Sequence, residues 1–190
     1  MKNKPLILAS ASPRRLDLLA QIGLTPDRVI PADIDETPHK TELPRDYALR
    51  MATSKALAVM PQATGAFVLS ADTVVACGRR ILPKAETAEQ ARACLTLLSG
   101  RRHRVINGIA LVSPDGAIKT RLTDTVVQFK RLSEAEIAEY MAGGEWQGKA
   151  GGYAIQGRAA IFVTYIAGSY STVVGLSLYD TQSLLRSAGF

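Results

Sequence analysis

The run "KPLILASASPRRLDLLAQIG" (residues 4–23) constrains the fold more than any other. Its first part, "KPLILAS", is short and apolar without interruption, so it reads as a buried strand. It passes with almost no linker into a helix in which Leu16, Leu19 and Ile22 keep helical spacing as far as Gly23, the stop. Strand, tight turn, helix is the opening of an α/β domain. Ser12 suits the N-cap and Pro13 the first helical position, which puts Arg14 and Arg15 in the first turn, where bare N–H groups and the helix dipole disfavour cations. Such a turn, with two guanidinium forks beside it, can hold a phosphate chain. On the pattern alone the alternative stays open, with both arginines pointing into solvent.

The chain continues in the same mixed style. "PRDYALRMATSKALAVMP" predicts a second helix with Tyr47, Met51 and Ala58 near one face, ended by Pro61. "AFVLSADTVVACGRRILP" reads as two strands around a Gly-containing turn. "ETAEQARACLTLLSG" and "SEAEIAEYMAGG" are helices opened by capping boxes, Thr87 with Gln90 and Ser133 with Glu136. Between them, residues 103–132 read as a long hairpin around "SPDG". Residues 144–157 are rich in glycine and are not expected to be regular; "RAAIFVTYIAG" returns to strand and "SLYDTQSLLRSAG" to helix. Strands and helices mix without strict alternation, so the sheet should be mixed rather than purely parallel.

With 190 residues the chain can bury one sizeable core, and a single domain over 1–190 is expected. Apolar residues make up 47% and charged residues 21%, a usual globular balance. No apolar run is long enough to span a bilayer, and the N-terminal one is too short for a signal-peptide core, so the expectation is a cytoplasmic protein without a membrane partner. Cys77 and Cys94 lack zinc-site spacing and read as reduced core residues, while His39 and His103 stand isolated. The net charge of +6 suits anionic partners, or a solvated basic surface. The "RRHR" run at 101–104 follows a helix stop, where positive charge complements the dipole.

Aspartate is depleted in strands, yet Asp72 interrupts "FVLSA" and "TVVA", where a lone buried carboxylate would cost several kcal/mol unless paired or metal-bound. A bend at which Asp72 accepts backbone hydrogen bonds is the other reading. Asp33, Asp35 and Glu36 form an acidic cluster of the oxygen-donor type that suits Mg²⁺ or Mn²⁺, although an acidic loop is also simply soluble. Lys55 and Lys84 say little singly, but with Arg14 and Arg15 they could neutralise a triphosphate. "GKAGGYAIQG" could bring backbone close to a flat ligand through Gly151, Gly152 and Gly157, with Gln156 offering a donor and an acceptor, or it could be a plain connection. Cations, carboxylates and a glycine loop, without a Cys or His nucleophile arrangement, fit metal-assisted attack of water on a phosphoanhydride.

Four motifs in order resemble one family. "LASASPRRLDLL", "SADTVV", "GKAGGYAIQG" and "GSYSTVVGLSL" are similar to the signatures of the Maf, or septum-formation-inhibitor, group of nucleoside triphosphate pyrophosphatases. The resemblance implies an α/β fold around an elongated mixed sheet flanked by helices, shared with the inosine triphosphate pyrophosphatases, and often a homodimer. It implies hydrolysis between the α and β phosphates with a divalent metal cation, Mg²⁺ or Mn²⁺. By motif, Asp72 would be the proton acceptor and, with Glu36, a metal-linked carboxylate, while Ser10, Arg15, Lys55 and Lys84 would bind phosphate. Arg14, Thr73 and Gln156 match the branch acting on dTTP and UTP; the branch resembling 7-methyl-GTP pyrophosphatases has Glu in place of the loop glutamine. Departures are Pro83 and Ala85 around Lys84, Asn107 where Thr is usual and Ser177 in place of Pro.

A different class of function, a non-catalytic regulator of division that binds nucleic acid or a protein through a basic surface, would group cations on one face with stacking aromatics. Here aromatics are 6% and the cations are dispersed, so nucleic acid is not expected as a partner and a small-molecule nucleoside triphosphate is.

Overall fold

The computed structural model describes residues 4–190. Its strands are β1 (Leu6–Leu8), β2 (Arg28–Val29), β3 (Phe67–Cys77), β4 (Arg80–Leu82), β5 (Arg102–Val112), β6 (Ile118–Phe129) and β7 (Val163–Ala167). The helices are α1 (Pro13–Gln21), α2 (Pro44–Val59), α3 (Ala88–Leu98), α4 (Glu134–Ala142), α5 (Tyr170–Val174) and α6 (Leu178–Ser187). Strands are hydrogen-bonded in the order β2-β1-β3-β5-β6-β7, with β4 on β3. β1 runs parallel to β2 and β3, whereas β4 on β3 and β7 on β6 are antiparallel. This is the mixed sheet flanked by helices that the pattern predicts.

Contacts divide the described residues into two compact units, one of residues 4–72, 107–123 and 175–190, the other of 73–106 and 124–174. In the first, β1 is buried along its whole length and pairs with parallel neighbours at both edges. Ile7, Ala9, Val68, Ala110 and Val112 pack with Ala52, Ala56 and Val59 of α2 in one apolar cluster. Small residues on α2 let it come close: a Cβ built on Gly108 would lie 2.6 Å from the Ala48 carbonyl carbon and 3.0 Å from the Leu49 nitrogen. Only glycine fits there. α1 ends in a Schellman motif, with Gly23 at φ +72°, its N–H on the Ala20 carbonyl and the Leu24 N–H on the Leu19 carbonyl.

The second unit has an aromatic core. Phe129 stands edge-on to His103, Tyr153 and Phe162, with centroids 4.9–5.9 Å apart, and Tyr140 stands edge-on to Phe162. Both predicted capping boxes are formed, Thr87 with Gln90 on α3 and Ser133 with Glu136 on α4. In the first unit, the "SPDG" turn between β5 and β6 is closed by Gly116 N–H on the Ser113 carbonyl and Ser113 N–H on the Ala117 carbonyl.

Local expectations are corrected in six places. Ser12 stands at the N-cap of α1 but its side chain makes no capping bond. The buried face of α1 runs through Arg15, Leu18 and Leu19, and Ala58 of α2 is exposed while Tyr47 and Met51 are buried. Residues 158–162 form a 3₁₀ turn before β7. The "RRHR" run lies on β5 apart from Arg101, with His103 buried between exposed Arg102 and Arg104, so strand alternation rather than a helix end places those charges. Cys94 is buried, but Cys77 is partly exposed at the end of β3. Among the described residues no helix is long and apolar enough to cross a membrane.

Candidate active site

Asp72 is buried within β3, 3% exposed, and it is paired rather than bent away. The Lys55 ammonium, itself 7% exposed, sits 2.6 Å from Asp72 Oδ1 and 2.9 Å from Glu36 Oε1. Lys55 reaches this point because α2 lies against β3, an arrangement fixed by the apolar cluster and by the Ser70 hydroxyl donating to the Ala52 carbonyl. One cation between two carboxylates resolves the cost of burying Asp72.

Glu36 arrives on the segment between β2 and α2, and that segment is pinned from α2. The Tyr47 hydroxyl donates to the Glu36 carbonyl at 2.7 Å, and Arg50 Nη2 donates to the Thr37 carbonyl at 3.2 Å. Arg50 also holds Glu42 through both carboxylate oxygens, each at 2.7 Å, which depresses the Glu42 pKa to about 2. Burial, then the Asp72 and Glu36 carboxylates, push the Tyr47 phenol up to about 12.

The paired arginines separate in the structure. Arg15 is buried; its Nη1 donates to Ser10 Oγ at 2.8 Å and its Nε to the Gly175 carbonyl at 2.9 Å. Burial lowers its pKa, the Asp72 charge opposes that shift, Arg14 adds to it and Glu36 opposes it again. The negative partner demanded by a cation in the first turn of α1 is thus partly internal. Arg14 is half-buried, and burial lowers its pKa as well. Ser10 follows β1 and also accepts from the Ser12 N–H at 3.2 Å.

The acidic cluster does not act as a unit. Asp33 and Asp35 are exposed; Asp35 Oδ1 accepts the Thr37 N–H at 2.8 Å, and the Thr37 side chain, then that N–H, lowers the Asp35 pKa. Glu36 alone of the three reaches Lys55, and among the described residues no three His, Cys, Asp or Glu side chains converge on one metal position. Glu36 and Asp72 do converge on the Lys55 cation. Two hard carboxylates around one cation position match how Mg²⁺ or Mn²⁺ is held when substrate phosphates and water complete the shell.

Thr73, Lys84 and Gln156 belong to the second unit. Thr73 is partly exposed on β3; Lys84 and Gln156 are exposed. Lys84 bridges Ala150, and the Gly148, Gly151 and Ala85 N–H groups bind the Ala85, Pro83 and Lys149 carbonyls, so the lysine segment is zipped to the glycine loop despite its departures from the motif. Gly151 and Gly152 of that loop serve packing. A Cβ on Gly151, at φ +67°, would meet Val75 Cγ1 at 2.8 Å, and one on Gly152, at φ +71°, would meet the Ala91 Cα at 3.1 Å. The close approach at these two glycines is to β3 and α3, not a surface left open for a flat ligand.

The family model described as Maf-like protein matches residues 5–188. The chain belongs to the Maf family. A Maf relative named dTTP/UTP pyrophosphatase from Rhodospirillum rubrum is 65% identical over 186 residues, 98% of this chain and 89% of the relative. Another of that name, from Caulobacter vibrioides, is 62% identical over 185 residues, 97% of this chain and 96% of the relative. Among solved structures, a HAM1 protein from Coxiella burnetii matches 97% of this chain and 99% of its own, with a TM-score of 0.52 at 18% identity, so this Maf chain has the HAM1 fold. Beside the motif residues stand three that motif reading missed: Tyr47 under Glu36, Arg50 under Thr37, and Asn107, whose Nδ2 donates to the Asp72 carbonyl at 3.0 Å. Tyr47 and Arg50 lie at i and i+3 on α2, a helix surface pair; Asn107, polar in an apolar strand, was the detectable signal of the three.

Proposed function

We propose that the protein is a dTTP/UTP pyrophosphatase, a hydrolase that converts these nucleoside triphosphates, and modified pyrimidine analogues, to the monophosphate and pyrophosphate. The single observation that carries this reading is the Asp72–Lys55–Glu36 arrangement, with Asp72, Lys55 and Arg15 buried, in a chain whose relatives bear that name. Glu36 and Asp72 would hold a divalent cation, which when bound would draw charge from the phosphate oxygens and lower the pKa of a coordinated water.

The chain's own part follows from charge and reach. Arg15, Lys55 and Lys84, with Ser10, neutralise and orient the triphosphate, and the Asp72 carboxylate takes the proton of the attacking water. The water oxygen bonds to the α phosphorus, the α–β bridge breaks, and pyrophosphate leaves with the bond's electron pair. Arg14, Thr73 and Gln156 set the base: a glutamine amide offers one donor and one acceptor to the mixed edge of thymine or uracil, whereas a carboxylate would need the donor edge of guanine. The same reading places the enzyme in the cytoplasm as a homodimer that clears surplus or damaged pyrimidine nucleotides, with a link to division arrest.

Incubation with dTTP, UTP, CTP, 5-methyl-UTP and 7-methyl-GTP, with Mg²⁺ or Mn²⁺, tests the proposal. Pyrophosphate release should be fastest from dTTP and UTP or their modified forms; none from either removes the reading. Size-exclusion chromatography tests the dimer.

A further inference from the structure

Asn107 lies in the interior of β5 and is completely buried, where an amide side chain must find partners for two donors and an acceptor. It finds them on two other segments of the chain. Nδ2 donates to the Asp72 carbonyl at 3.0 Å and to the Gly175 carbonyl at 3.2 Å, while Oδ1 accepts the Ser177 N–H at 3.0 Å. The opposite amide orientation would aim Oδ1 at two carbonyls and Nδ2 at an N–H, so the surroundings fix which end is which.

The Gly175 oxygen is shared, because it also accepts Arg15 Nε–H at 2.9 Å. One amide therefore ties the peptide of Asp72 to the oxygen that anchors the Arg15 guanidinium. We propose that Asn107 is a positioning residue of the hydrolysis: it sets the Asp72 main chain and, through Gly175, the direction of Arg15, so that carboxylate and guanidinium keep one mutual geometry. The proposal rests on Asp72 and Arg15 acting as described above. No other side chain of that size supplies two donors and an acceptor from one plane. Serine has one donor; aspartate has none while ionised, and its carboxylate would face two carbonyl oxygens, which raises its pKa until it protonates and donates once.

Asn107→Asp and Asn107→Ser are compared with the parent for pyrophosphate release from dTTP at about pH 5.5 and about pH 8, with circular dichroism melts at both pH values. The expected result for folded Asn107→Ser is a kcat at least about tenfold below the parent with KM within about threefold. For Asn107→Asp, the kcat ratio to the parent should fall about tenfold between the lower and the higher pH while the dichroism spectrum stays unchanged. A kcat within about twofold of the parent for Asn107→Ser, or for folded Asn107→Asp at both pH values, overturns the proposal. Should Asn107→Asp unfold at the higher pH, Asn107→Ser alone decides. A parent that releases no pyrophosphate strikes the functional reading and the role of Asn107 with it, an outcome distinct from an active parent with indifferent variants.

Discussion

The Lys55 ammonium and the Asp72 carboxylate meet at 2.6 Å with both residues buried, and the Asp72 charge depends on that cation. Lys55→Met removes the cation and leaves Asp72 buried beside Glu36 with no counter-charge from α2. Unfolding in urea should show a loss of about 3–5 kcal/mol, and Lys55→Met combined with Asp72→Asn should regain most of it without regaining activity.

Asp72→Asn is nearly isosteric and leaves Lys55 its second partner, Glu36 at 2.9 Å. Stability should fall by less than in Lys55→Met, while turnover falls by about a thousandfold and titration calorimetry with dTTP still detects binding. Near-parental turnover would remove Asp72 from its proposed role.

Tyr47→Phe deletes the hydroxyl that fastens the Glu36 main chain to α2. A stability loss of about 1 kcal/mol is expected, with about tenfold more Mg²⁺ or Mn²⁺ needed for half-maximal activity, because a ligand's support is removed rather than the ligand. An unchanged metal requirement would separate Tyr47 from Glu36.

His103 is 2% exposed, its Nε2 paired with the Tyr153 hydroxyl at 2.8 Å, and burial pushes its pKa down to about 4. The unfolded chain, with an ordinary histidine pKa near 6.5, binds the proton first as pH falls. Stability from a neutral His103 is therefore complete above about pH 6.5, erodes by up to about 1.4 kcal/mol per pH unit down to about pH 4, and is gone below. His103→Phe should flatten that part of the stability profile, as read by chemical denaturation across the range.

Gly108→Ala puts a methyl group against the main chain of α2 rather than against a movable side chain. A loss of about 3 kcal/mol or more is expected, a fall in Tm on the order of 10 °C, visible in a thermal melt.

The sequence made most of the fold readable because its signals are local. Capping boxes at Thr87 and Ser133, the "SPDG" turn and the stop at Gly23 each need only a few neighbouring residues, and each is formed. Asp72 was legible as a buried carboxylate in need of a partner, but the partner's identity depended on how α2 packs. Asp35 and Glu36, adjacent in the chain, divide between a Thr37 turn and Lys55 for the same reason. Asn107 and Ser177, the two departures noted far apart in the sequence, are bonded to each other, side-chain carbonyl to backbone N–H, and Ser177 also caps α6. A proline at 177 could not donate that bond. Such pairings arise only when distant segments meet.

Gly108 has one more consequence. Lys55 holds the carboxylate of Asp72 from α2, and Asn107, beside Gly108 on β5, holds its carbonyl. The spacing between those two elements is set at Gly108 by backbone meeting backbone, a hard stop with no side chain in between. Loss of volume in the apolar cluster therefore cannot draw α2 closer to β5 than this contact, which sets the least separation of the two grips on Asp72.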